Sequence, residues 1–127
     1  MAGNLSDYLE DKLLDHFLGT ASYTMPATVY VALYTAAPND AGGGTEVTGG
    51  SYARQTATFD AATGGATQND ANIDFTNMPA CTVVAIGIHD ASTAGNLLVH
   101  GTLTANKTLD AGDTLRIATG DLDISIN

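Results

Sequence analysis

The hydrophobic period changes once along this chain, and that change constrains the fold more than any other feature. Up to Gly19 the apolar residues recur at helical spacing; beyond it they recur every second residue, in short runs cut by Gly, Asp and Asn. Side chains alternate between the two faces of a strand, whereas a spacing of three to four draws one stripe along a helix. Leu5, Leu9, Leu13 and Phe17 form such a stripe, so residues 5–18 read as a helix. Ser6 can cap its start by accepting a backbone N–H two or three residues on. Asp7, Glu10 and Asp11 sit near the positive end of the helix dipole, and Lys12 and His16 nearer the other end. Gly19 supplies a stop, because it takes a left-handed conformation without steric cost. Leu14 and Leu18 fall well round from the stripe. The apolar sector is therefore wide; the first expectation is that all of it packs on the chain's own sheet, and the alternative is that part of it touches a second surface.

After the helix, residues 28–35 have the β-branched and aromatic content of a strand. Residues 41–50 include Gly42, Gly43 and Gly44 and are too rich in glycine to predict regular structure. Residues 52–59 alternate again, 61–69 form a small-residue loop, and 73–76 read as a short strand. Residues 81–89 are the most apolar run and are expected at the centre, with 96–104 returning as a hairpin partner. Residues 114–118 and 122–126 complete the set. About seven to eight short strands separated by turn signals predict a mainly β chain. The expected architecture is an antiparallel β-sandwich or barrel-like domain with one N-terminal α-helix. The expected division is a helical segment over residues 1–19 and a single β domain over 20–127.

Charge narrows the function classes. The net charge is −10, and Lys12, Arg54, Lys107 and Arg116 are the only permanent cations. Gripping a nucleic-acid backbone needs clustered Lys and Arg to displace counterions, so no nucleic-acid partner is expected. An anionic membrane surface is disfavoured on the same ground, and a basic protein partner is favoured. Charged residues make up 14% of the chain, so much of the surface must be Thr, Ser, Asn and Gly. A partner can cover such a surface while stripping few full charges of water. The start carries Asp and Glu instead of a basic and apolar leader, and no apolar run approaches a membrane-spanning length. Synthesis in a host cytoplasm is expected. Cys81 has no partner for an internal disulfide and lies beside an apolar run, which reads as a small buried hydrophobe.

Each pattern that carries chemistry fails here. In the expected hairpin His100 falls opposite residue 86 or 87, leaving His89 and His100 on the order of 10 Å out of register, too far for one zinc. Residues 70–74 begin like a calcium loop, but Phe75 stands where glycine is required and no glutamate follows at the right distance. Asp110, Asp113, Asp121 and Asp123 read as solvated turn residues. Serines 6, 22, 51, 92 and 125 lack local acid–base context, and Gly42-Gly43-Gly44 leads into Thr45-Glu46, whose charge would repel phosphate. The sequence thus predicts no enzyme, no cofactor and no metal.

Several stretches resemble a known family. They are residues 5–16, 26–38, 42–47 and 51–55, then Gly87-Ile88-His89-Asp90-Ala91, Gly95-Asn96-Leu97-Leu98, His100-Gly101 and Ala111-Gly112-Asp113-Thr114-Leu115. Together they resemble small virion proteins of tailed bacteriophages, labelled tail fibre or minor structural proteins of the Gp80 kind; some members look like capsid decoration (cement) proteins. The resemblance implies a structural role. The first expectation is a cement protein on the outer capsid surface, bridging subunits of the major capsid protein as a homo-oligomer, a trimer at three-fold positions. The alternative is a tail or tail-fibre-associated protein with tail proteins as partners. Candidate assembly contacts are Leu14 and Leu18 on the helix, with Gly42, Gly43, Gly44, Thr45 and Glu46 in the glycine loop. That loop is expected to stay mobile until a partner fixes it, because glycine loses much conformational entropy on ordering.

Overall fold

A computed structural model describes residues 4–126 of the chain. It is mainly β with one N-terminal helix, and all its strand pairs are antiparallel. The described residues form ten strands: β1 (Asn4–Leu5), β2 (Val29–Ala36), β3 (Thr45–Glu46), β4 (Gln55–Ala57), β5 (Ala66–Gln68), β6 (Ile73–Phe75), β7 (Cys81–His89), β8 (Leu97–Leu109), β9 (Leu115–Ile117) and β10 (Asp123–Ser125). The helix α1 spans Asp7–Phe17. The main sheet runs β1-β8-β7-β2-β3, with β4 also alongside β2; β5 pairs with β10 and β6 with β9 in two small ribbons. Among the described residues, no sheet closes into a barrel.

Alternation along β2 and β7 sorts the core into two faces. Val31 pairs with Ile88 and Leu33 with Ile86 across the ladder. These four, all buried, share a core with Ile73 and Phe75 of β6, Leu115 of β9 and Leu122. The ribbons thus form a second layer over one face of the main sheet. Ala32, Tyr34 and Ala85 point the other way into a small separate cluster. Gly87 lies between Ala32 and His100 in the ladder. A Cβ there would come within 2.9 Å of both the Leu97 and Tyr34 side chains, so the close packing of this face requires glycine.

The N-terminal segment is stitched into the sheet. Asn4 and Leu5 pair with His100 and Val99, and the Ser6 N–H continues the ladder to the Leu98 carbonyl. Ser6 is buried and works in two directions. Its hydroxyl caps α1 by accepting from the Leu9 N–H at 3.2 Å, and donates to the Leu97 carbonyl. Ser6→Ala therefore removes a helix cap and takes a donor from the half-buried Leu97 carbonyl. We expect a loss of about 1–2 kcal/mol, read as a lower urea midpoint at unchanged slope.

Where the strands deviate from simple alternation, local pairing explains it. The residues 52–59 expected as one strand pair with β2 only over Gln55–Ala57. The glycine-rich stretch is also more ordered than its composition suggests. Thr45 and Glu46 pair with β2, Asn39 bridges Gly42, and Val47 is buried in the core. Gly44 permits this with φ +73, since a Cβ there would lie 2.7 Å from the Ala36 carbonyl oxygen. β8 extends to Leu109 by a register shift, spending five positions between Thr102 and Lys107 where β7 spends two.

Candidate functional site

At one end of the sheet, three segments meet: the start of α1, the loop at 38–44, and the turn at 90–96. They surround an open groove of about 540 Å³ floored by Tyr34 and His89. The Asp7 N–H donates to the Asp40 carbonyl at 2.9 Å and joins the first two segments. Asp40 also receives His100 Nε2 at 2.7 Å. Oxygens of Asp7, Glu10 and Asp40 gather within 4.8 Å of one another, which concentrates negative charge at this corner.

An internal ion pair holds the third segment. The Arg54 guanidinium reaches both Glu46 oxygens, at 3.0 and 2.8 Å, and donates from its other nitrogen to the carbonyls of Ala91 and Ala94. The Arg54 side chain is only 7% exposed. The Tyr52 hydroxyl donates to Glu46 at 2.7 Å and accepts the Leu33 N–H. The sequence pointed to Glu46 as a contact for a partner; the fold uses it to bind the glycine loop to the 90–96 turn. Only the pairing with Arg54, eight residues on, reveals this.

The electrostatics follow from burial. Burial alone would raise the Glu46 pKa, but hydrogen bonds from Arg54 and Tyr52 outweigh it and hold the carboxyl below its ordinary 4.5. Burial, reinforced by the Arg54 charge, pushes His89 below its ordinary 6.5. His89 Nε2 shares a 2.6 Å hydrogen bond with the Tyr34 hydroxyl, while its buried Nδ1 has no protein partner. Both groups bind fewer protons folded than unfolded, so both favour the folded state at high pH. The His89 contribution is complete above 6.5 and falls away as pH drops toward its lowered value. The Glu46 contribution is complete above 4.5 and is lost as pH falls through its own. Urea midpoints measured across pH 3–8 are expected to decline on acidification in two stages, and Glu46→Gln should shrink the lower one without abolishing it, since Asp74 and Asp90 are also held below the ordinary carboxylate range.

The helix is the other exposed feature. Leu5, Tyr8 and Leu9 pack against the main core, but Leu14 is 50%, Phe17 69% and Leu18 68% exposed. Phe17, placed on the inward stripe by spacing, lies beyond the sheet's cover. Of the sequence-derived candidates, Leu14 and Leu18 are therefore open to solvent together with Gly43, Gly44 and Thr45; Gly42 and Glu46 are half-buried. The helix end and the glycine loop are separate parts of the surface, the loop adjoining only the start of α1. The acidic turn residues are separate again. Asp113 accepts the Asp110 N–H, and Asp121 and Asp123 line a groove beside β9. His100 pairs with Gly87 and His89 with Leu97, the stagger expected from the turn. Cys81 is half-buried against the core. Among the described residues, no helix is long and apolar enough to cross a membrane.

The described residues thus form a small two-layer β platform, cross-tied by buried polar contacts, with an uncovered helix end. The chain belongs to the family described as podophage GP4 fiber I protein gp80, whose model matches residues 4–125. It is thus a phage structural protein, a component of the virion. No curated protein matches the chain.

Proposed function

We propose that this chain is a non-catalytic module of the fibre or tail apparatus, joined to another virion protein through surface contacts. The family's description as a fibre protein supports that placement over the capsid shell. The observation that carries the docking role is the cluster of three exposed apolar side chains at the end of α1, whereas the other exposed large apolar residues, Met25 and Ile126, stand apart in the chain. A protein partner suits the charge distribution better than nucleic acid. Arg54 is committed to Glu46, Arg116 to Asp74 at 2.7 Å, and Lys12 stands 5.7 Å over the Tyr8 ring. Few cations are left to grip phosphates.

Separating purified virions into head and tail fractions, then measuring the chain by quantitative mass spectrometry, tests the placement. Recovery with the tail fraction supports a fibre or tail module. Recovery with heads alone would return the chain to the capsid-cement role.

A further inference from the structure

We propose that the outward face of α1 seats in an apolar groove of a different virion protein, and that the rim of this groove carries Lys or Arg. The inference rests on the virion reading above and adds the chemistry of the partner.

At 100° per residue, Phe17, Glu10, Leu14, Asp7, Leu18 and Asp11 fall within an arc of about 120°. All six are exposed. Tyr8 and Leu9 turn toward the core, and Lys12 leans over the Tyr8 ring. The outward face therefore presents carboxylates on its first turns, three large apolar side chains on its last, and no lysine or arginine. Single exposed leucines are ordinary. Leu14, Phe17 and Leu18 are different because they sit at i, i+3 and i+4, the spacing with which an amphipathic helix anchors in a groove. The sheet does not need them, since the residues packed against its core come from the other side of the helix.

Charge selects the occupant. A second copy packed on this face would bring another set of carboxylates with no cation among them, on a chain that itself carries −10. Asp40, gathered with Asp7 and Glu10, deepens the negative field at the start of the helix. Like charges across an interface oppose docking, and opposite charges speed it and fix its register. The matching surface is thus apolar where Leu14, Phe17 and Leu18 land and basic where Asp7, Glu10 and Asp11 land. Other surfaces of the chain stay available for self-assembly.

Phage carrying the triple substitution Leu14→Ser, Phe17→Ser and Leu18→Ser provide the test. Copies of the chain per purified particle should fall at least about tenfold, as expected for losing the anchors of an interface. The isolated variant should keep the wild-type circular dichroism. In a second arm, benzoylphenylalanine replaces Phe17 and intact particles are irradiated. The expected product joins the chain to a different virion protein, at a peptide containing Lys or Arg. In a third, Asp7→Asn, Glu10→Gln and Asp11→Asn together should slow rebinding to particles stripped of the chain and flatten its salt dependence. Normal loading of the triple variant, with the wild type present, would overturn the docking face while leaving the virion reading intact. Cross-linking to a second copy would overturn the choice of partner. Absence of the wild-type chain from purified particles would overturn both the virion reading and this inference.

Discussion

Replacing Arg54 with Met is expected to cost about 3 kcal/mol, a large share of the stability of a domain this size. The side chain is almost wholly buried and supplies hydrogen bonds to both Glu46 oxygens and to two backbone carbonyls of the neighbouring turn. Removing it leaves a partly buried carboxylate held only by Tyr52, with the carbonyls of Ala91 and Ala94 stranded. The loss should appear as a drop of roughly 10 °C in Tm. Arg54→Lys should recover only part of it, because one ammonium cannot reproduce a planar fork that spans a carboxylate and two carbonyls. A double-mutant cycle with Glu46→Leu should show a coupling above about 1.5 kcal/mol; independent, additive losses would refute the clamp. The 90–96 turn should exchange its amide hydrogens faster in either single variant, since this ion pair is what fastens it to the glycine loop.

Asn69→Ala is expected to have a comparable effect, roughly 3 kcal/mol, for a different reason. Asn69 is fully buried. Its amide donates to the carbonyls of Ala71 and Ala118, and its carbonyl oxygen accepts from the N–H groups of Gly120 and Leu122. One side chain thus satisfies backbone groups on two sequence-distant loops and seats Leu122 in the core. Alanine leaves these groups without their partner in a space too confined for easy rearrangement. Asn69→Asp should also be damaging, because a carboxylate cannot donate to Ala71 and Ala118. If Asn69→Ala melts within about 2 °C of the wild type, the loops are held by something else.

These two polar anchors were the least legible parts of the chain. Asn69 closes a stretch of small residues and lies next to a failed calcium pattern, so nothing local distinguishes it from a loop asparagine. Three of its four partners lie about fifty positions away, and only Ala71 is close in sequence. Glu46 looked like an exposed charge in a flexible loop until Arg54 folded onto it. The long strands were far easier to read. The apolar run at Cys81–His89 is a strand over its full length, and the turn after it sets the pairing of His100 with Gly87. The helix was legible because its cap, dipole and stop signals agreed, with Ser6 as the observed cap. Strands β1, β3 and β5 were missed because two or three residues cannot display a period; only the neighbouring strand makes them visible. The exposure of Phe17 was missed because spacing gives direction around a helix but not how far the sheet beneath it extends.

A cryo-electron microscopy reconstruction of the intact particle, with this fold fitted into the density, tests the central claim most directly. The account predicts density for the two-layer β platform on the fibre or tail. The outward face of α1 should be in contact with a neighbouring protein, with basic side chains opposite Asp7, Glu10 and Asp11. Density for the chain confined to the capsid shell, or on the tail with α1 turned to open solvent, would contradict it.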